Sequence, residues 1–144
     1  MRDESASEQQ RWRILVAITG TVEGQRALEH AIQFARMADA DIPGLIVERR
    51  LPLGPATVAE VDDAQHHDAR FFDTISRLAV DQASEYDLDL EIRRRPGPLV
   101  RAVCREAAES HADLVVVGRP RSILGLPRIA TLTRRLRCLL LIAG

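Results

Sequence analysis

The sequence predicts an α/β domain built on a five-stranded parallel sheet of order 3-2-1-4-5 with helices on both faces. Apolar runs of strand length alternate with amphipathic helical stretches, the pattern of successive β-α-β units. The runs Arg13-Ile14-Leu15-Val16-Ala17-Ile18 and Leu114-Val115-Val116-Val117 are apolar on consecutive positions, as in strands covered on both faces. Leu88-Asp89-Leu90-Glu91-Ile92-Arg93 alternates strictly, which reads as an edge strand with one wet face. Right-handed crossovers then leave 3-2-1-4-5 as the economical order.

Residues 1–11 are polar and charged without periodicity and read as a disordered tail, ahead of a single domain over 12–144. The first strand, Arg13 to Ile18, ends in Thr19-Gly20-Thr21, where Thr21 is placed to cap the following helix. In that helix Leu28, Ala31, Ile32, Ala35 and Ala38 form one apolar stripe, with Glu29, Gln33 and Arg36 outside it. Ala40-Asp41 ends it, and Ile42 to Val47 is the second strand, weakened at its start by Pro43. Glu48 to Pro55 is loop by its arginine, proline and glycine content. A long helix follows, about Val58 to Glu85, with Phe71, Ile75, Leu78, Ala79 and Gln82 at helical spacing.

After the alternating third strand, Arg95-Pro96-Gly97-Pro98 makes a turn. It puts Pro98 near the first helical position, where its missing N–H costs nothing. Leu99, Val103 and Ala107 mark a helix to about His111, and Leu114 to Val117 is the fourth strand. Arg119 to Pro127 is irregular, Arg128 to Leu136 is a short basic helix, and Cys138 to Ile142 is the last strand.

A net charge of −1 gives no global attraction to nucleic acid or anionic membrane. All 20 basic side chains are arginine, so no lysine is available as Schiff-base former or general base. No apolar run reaches membrane-spanning length and the first residues are not a signal peptide, which predicts a cytoplasmic protein. Cys104 and Cys138 match no redox or zinc spacing and read as buried small hydrophobes. His66-His67-Asp68 invites a metal reading. Adjacent helical side chains diverge by about 100°, however, so a solvated face is favoured. Asp62-Asp63 reads as compensation of a helix dipole. Thr19 and Thr21 have no base nearby in sequence, so an enzyme is not expected, nor a metal site.

With this strand order the winding reverses between the first and fourth strands, and a ligand crevice is expected between Thr19-Gly20 and Gly118. Here the chain resembles the universal stress protein family, from about residue 12 to the end. The likeness rests on Arg13–Thr21, on Ala112-Asp113-Leu114-Val115-Val116-Val117-Gly118 and on Arg137-Cys138-Leu139-Leu140. It implies a nucleotide crevice whose candidate ligand-binding residues are Thr19, Gly20, Val47, Val117, Gly118, Arg119, Arg121, Thr131 and Thr133.

The family's pattern is only partly kept. Thr19 stands where the resemblance places an adenine-facing aspartate. Arg121 stands where it places the second glycine of the phosphate loop. The closing glycine is missing whether Thr131-Leu132 or Leu132-Thr133 takes that place. A side chain at Arg121 would crowd backbone amides that form an anion nest, at a cost of about 1–2 kcal/mol. Loss of a charge-assisted hydrogen bond at Thr19 adds roughly 1.5–3 kcal/mol. The expectation is a non-catalytic, dimeric stress or regulatory module with a degenerate ATP site and no cofactor, ATP being disfavoured.

The alternative is a rebuilt loop, in which Arg119, Arg121 and Arg128 hold a nucleotide or another phosphorylated anion through guanidinium forks. The resemblance also implies a homodimer. The apolar run Cys138–Ile142 at a sheet edge independently asks for a partner strand.

Overall fold

Strand β1 (Ile14–Ala17) offers no polar side chain to either face, and all four of its residues are buried. The computed structural model describes residues 11–48, 58–120 and 125–144, except the side chains of 58–68. Around β1 it arranges β2 (Ile42–Glu48), β3 (Leu90–Pro96), β4 (Leu114–Gly118) and β5 (Leu139–Ala143) in the order β3-β2-β1-β4-β5. All neighbours run parallel, and Val16 pairs with Gly44 on one side and Val116 on the other. The connecting helices are α1 (Val22–Ala38), α2 (Val58–Ser84), α3 (Leu99–Glu109) and α4 (Leu126–Arg135).

Two cores explain why β1 and β4 are apolar on consecutive positions. Ile14 and Val16 pack with Leu28 and Ile32 of α1 and with Ala79 and Ala83 of α2. Leu15 and Ala17 face the other way, towards Val103 of α3 and Leu132 of α4. Each successive side chain thus enters a different dry layer.

Helix α1 starts as its sequence demands: Thr21 Oγ1 accepts a hydrogen bond from Gly24 N at 3.0 Å. It stops at Asp39, which adopts the left-handed conformation with φ 50°. That turn leaves Ala38 exposed and buries Ala40 instead, so the apolar stripe ends at Ala35.

In α2 the buried stripe is rotated from the expected one. Ala79 and Ala83 are buried and Phe72 and Ile75 pack against the core, whereas Phe71 and Leu78 are 47% and 61% exposed. The two stripes share Ile75 and Ala79, and the buried one continues through Phe72 and Ala83 instead of Phe71, Leu78 and Gln82, a partial turn of the helix. The choice between them is made by the sheet surface.

Strand β3 occupies an edge, as its alternation predicts, but runs further, to Pro96. The ladder to β2 continues to Glu48↔Pro96, and Gly97 N donates to Glu48 O at 2.9 Å. Its arginines take opposite sides. Arg93 and Arg95 reach Glu106 and Glu109 of α3, and Arg94 reaches Glu48 and Asp73. The expected wet face is therefore roofed by ion pairs.

Pro98, after a cis peptide bond, is the N-cap of α3 rather than its first helical residue. Helix α4 begins at Leu126, two residues before the expected start, because Pro127 fits its first turn. Of the expected tail, 1–11, residues 1–10 lie outside the described residues, as does the loop 49–57, while Arg11 Nε donates to Asp39 O at 3.1 Å.

Candidate functional site

Above the carboxyl ends of β1 and β2 the chain leaves a cavity of about 930 Å³. Its floor is Ala17 and Ile18 of the β1 end and Leu45 and Val47 of β2. One wall is the Thr19-Gly20-Thr21 turn with Phe71 and Phe72 of α2. The opposite wall is Gly97 to Val100 at the start of α3, with Arg128 of α4. Carboxyl ends of parallel strands are where such a fold binds ligands, because the connections there diverge.

The polar groups on these walls are few. Among the described residues of the walls Arg128 is the only charged one, and Thr19 and Thr21 supply two hydroxyls. No side chain caps α3, whose first intrahelical bond runs from Ala102 N to Pro98 O at 3.1 Å. The amides ahead of Ala102 and the helix dipole give that wall a positive character. An apolar floor, an aromatic pair, a helix start and one guanidinium suit a ligand with a flat apolar part and an anionic part. Among the described residues that line the cavity there is no carboxylate, imidazole or thiol.

Of the residues expected at a crevice between β1 and β4, Thr19, Gly20 and Val47 line this cavity over β1 and β2. The Thr19 hydroxyl is, however, engaged with α1: its Oγ1 lies 2.8 Å from Thr21 Oγ1. A Cβ built on Gly24 would meet it at 1.8 Å. Gly24 is thus a glycine because Thr19 sits on the first turn of α1.

On the β1/β4 side of the expected crevice, the start of α1 lies against Gly118. A Cβ on Gly118 would lie 2.8–2.9 Å from Glu23 C, Glu23 O and Gly24 N, all backbone. Gly118 lets the start of α1 rest on β4, and so the open space lies over β1 and β2. Val117 is buried in the α3/α4 core. Arg119 borders a separate depression of about 350 Å³ with Val22, Glu23, Arg26, Pro120 and Gly144. Thr131 and Thr133 donate back to carbonyls of their own helix, Pro127 O at 2.9 Å and Ala130 O at 2.7 Å. Two positions apart on a helix, they point to opposite sides, while Leu132 between them is fully buried. Arg121 lies outside the described residues.

Sequence reasoning missed Phe71, Phe72 and the start of α3 as parts of the site. The adjacent pair, two of only three phenylalanines, was the available signal. Cys104 and Cys138 are free and away from the cavity; expected to be buried small hydrophobes, they pack against the core but are only half-buried. Burial raises both thiol pKa values; Arg135 opposes the rise at Cys104, and Asp113 adds to it at Cys138. Among the described residues no group of three or more His, Cys, Asp or Glu is placed to hold a metal ion. No helix among them is long and apolar enough to cross a membrane. The side chains of Asp62, Asp63, His66, His67 and Asp68 lie outside the described residues.

The family model described as "Universal stress protein family" matches residues 11–135. The chain belongs to that family. Among curated proteins none matches this sequence. A universal stress protein solved in complex with cAMP is 25% identical, with TM-score 0.69, over 92% of this chain and 96% of that one. A universal stress protein family protein from Arabidopsis thaliana with AMP bound is 17% identical, with TM-score 0.69, over 92% and 90%. The universal stress protein from Archaeoglobus fulgidus in complex with dAMP is 15% identical, with TM-score 0.61, over 92% and 98%.

These complexes overturn the expectation of no cofactor with ATP disfavoured, since universal stress proteins of this fold are seen holding cAMP, AMP and dAMP. The error has a structural source. The steric objection assumed that Gly118 and residue 121 build the phosphate cradle. Gly118 is accounted for by the packing of α1, and residue 121 lies outside the described residues.

Proposed function

We propose that this chain is a nucleotide-binding regulatory module of the universal stress protein family, a binding protein rather than a catalyst. Its ligand is an adenine mononucleotide seated in the cavity over β1 and β2. The observation that carries this reading is the composition of the walls: apolar strand ends and Phe71 on one side, Arg128 and the uncapped start of α3 on the other. The base takes the apolar part. The phosphate takes the guanidinium and the positive end of the helix. The cAMP complex of the relative at 25% identity supports the ligand class.

Calorimetric titration with cAMP, AMP, dAMP and ATP tests it. Saturable binding of at least one is expected, weakened in Arg128→Ala by about 1.5–3 kcal/mol, or one to two decades. Absence of heat and of any thermal shift with all four at millimolar concentration overturns the proposal.

The same reading includes a homodimer through β5. This strand ends the sheet order, and Leu139 and Ile142 on it are 60% and 41% exposed. An apolar edge of that kind favours pairing with a second copy.

A further inference from the structure

We infer that Phe71 is the base-stacking platform of the cavity, so that affinity there depends on a flat aromatic ring in the ligand as well as on its anionic group. This rests on the nucleotide reading above and adds the residue that reads the ring. Phe71 belongs to a helix that had an alternative: Phe72, one position on, carries the core contact. Phe71 is left 47% exposed and forms part of the cavity wall.

Its ring is held in place from two sides. At its tip lies Gly20, where an added Cβ would stand 2.3 Å from Phe71 Cζ and 3.1 Å from Ile75 Cδ1. The absence of a side chain at Gly20 is what admits the ring to the turn after β1. Behind it Phe72 packs with ring centroids 5.6 Å apart and planes tilted by 60°. Phe72 is itself backed by the Arg94 guanidinium, 5.8 Å from its ring centroid. Arg94 is in turn tied to Glu48 at 2.8 Å and to Asp73. A braced ring with half its surface bare, over an apolar floor, is a stacking surface whose rotamer entropy is already reduced. Stacking of one base on an aromatic side chain is worth about 1–3 kcal/mol by alanine substitution, or roughly 5- to 150-fold in affinity.

Calorimetry with AMP, cAMP, ribose 5-phosphate and inorganic phosphate, on wild type and on Phe71→Ala, Phe71→Leu and Phe71→Tyr, tests this. Phe71→Ala and Phe71→Leu are expected to lose roughly 5- to 150-fold in affinity for the two nucleotides, and Phe71→Tyr to keep it. Binding of the two phosphates without an aromatic ring, measured wherever wild type gives a signal, is expected to be unchanged. Circular dichroism melts check that the variants are folded. If wild type binds a nucleotide and Phe71→Ala binds it within twofold, this inference falls and the nucleotide reading stands. Equal losses for nucleotide and for phosphate without an aromatic ring also sink it. If wild type binds neither nucleotide, the reading beneath it falls and takes it along.

Discussion

Arg95 Nε donates a hydrogen bond to Glu106 Oε2 at 2.6 Å, and Glu106, at 1% exposure, is the only buried charged residue among those described. Arg93 Nε stands 3.4 Å from the other carboxylate oxygen. The pair ties edge strand β3 to α3, the helix whose first turn walls the cavity. The hydrogen bond to Glu106 raises the Arg95 pKa, against a smaller opposing effect of burial, so the charge persists at all working pH.

Removing Arg95 leaves a dry carboxylate with one partner. Arg95→Ala is expected to cost about 1.5–3 kcal/mol, the worth of a hydrogen bond to a charged group. Arg93→Ala, at a side chain 64% exposed, is expected to cost about 0–1 kcal/mol. Urea denaturation of the two variants measures the difference. Equal costs would mean that Arg95 does not dominate the pair.

Gly118→Ala separates a packing glycine from a ligand-binding one. Its Cβ would press on the backbone of Glu23 and Gly24, which cannot rotate aside, and overpacking of this kind costs about 1–3 kcal/mol. A lowered melting temperature is expected. A variant as stable as wild type would show that α1 does not rest on this residue.

The thiols give a pH dependence. Burial raises the pKa of Cys104 and Cys138 above the ordinary 9.0, so the native chain holds these protons more tightly than the unfolded one. The associated stability is fully present below pH 9.0 and declines as pH rises past it. The thiolate is the reactive form. Alkylation at pH 8 is therefore expected to be several-fold slower in the native chain than in urea. Equal rates would contradict the burial of these side chains.

The dimer proposal concerns the outer edge of β5. Ile142→Lys places a charge on an exposed apolar edge position, where it is expected to leave the fold intact and block strand pairing. Light scattering should give a dimer for wild type and a monomer for the variant. A wild-type monomer at micromolar concentration would end the proposal.

The fold was legible because its signals are local. Consecutive apolar residues in β1 and β4, the alternation in β3 and the Thr21 cap each state a burial pattern on their own. The site was legible in part. Thr19, Gly20 and Val47 follow from their place at strand ends, since a parallel sheet exposes those ends to its loops. Gly118 was recognised as a required glycine, but for the wrong neighbour. A sequence tells that a Cβ is unwelcome without telling what it would strike.

What the sequence determined by itself is the order of elements, the strand order and the family resemblance, all carried by spacing along one dimension. What only the tertiary structure decided is which side of β1 stays open and which face of α2 meets the sheet. The start of α1 closes the β4 side by resting on Gly118. A partial rotation of α2 gives Phe72 to the core and Phe71 to the cavity. Both outcomes depend on contacts between segments distant in sequence, and packing at van der Waals separation admits only one of the arrangements that periodicity allows.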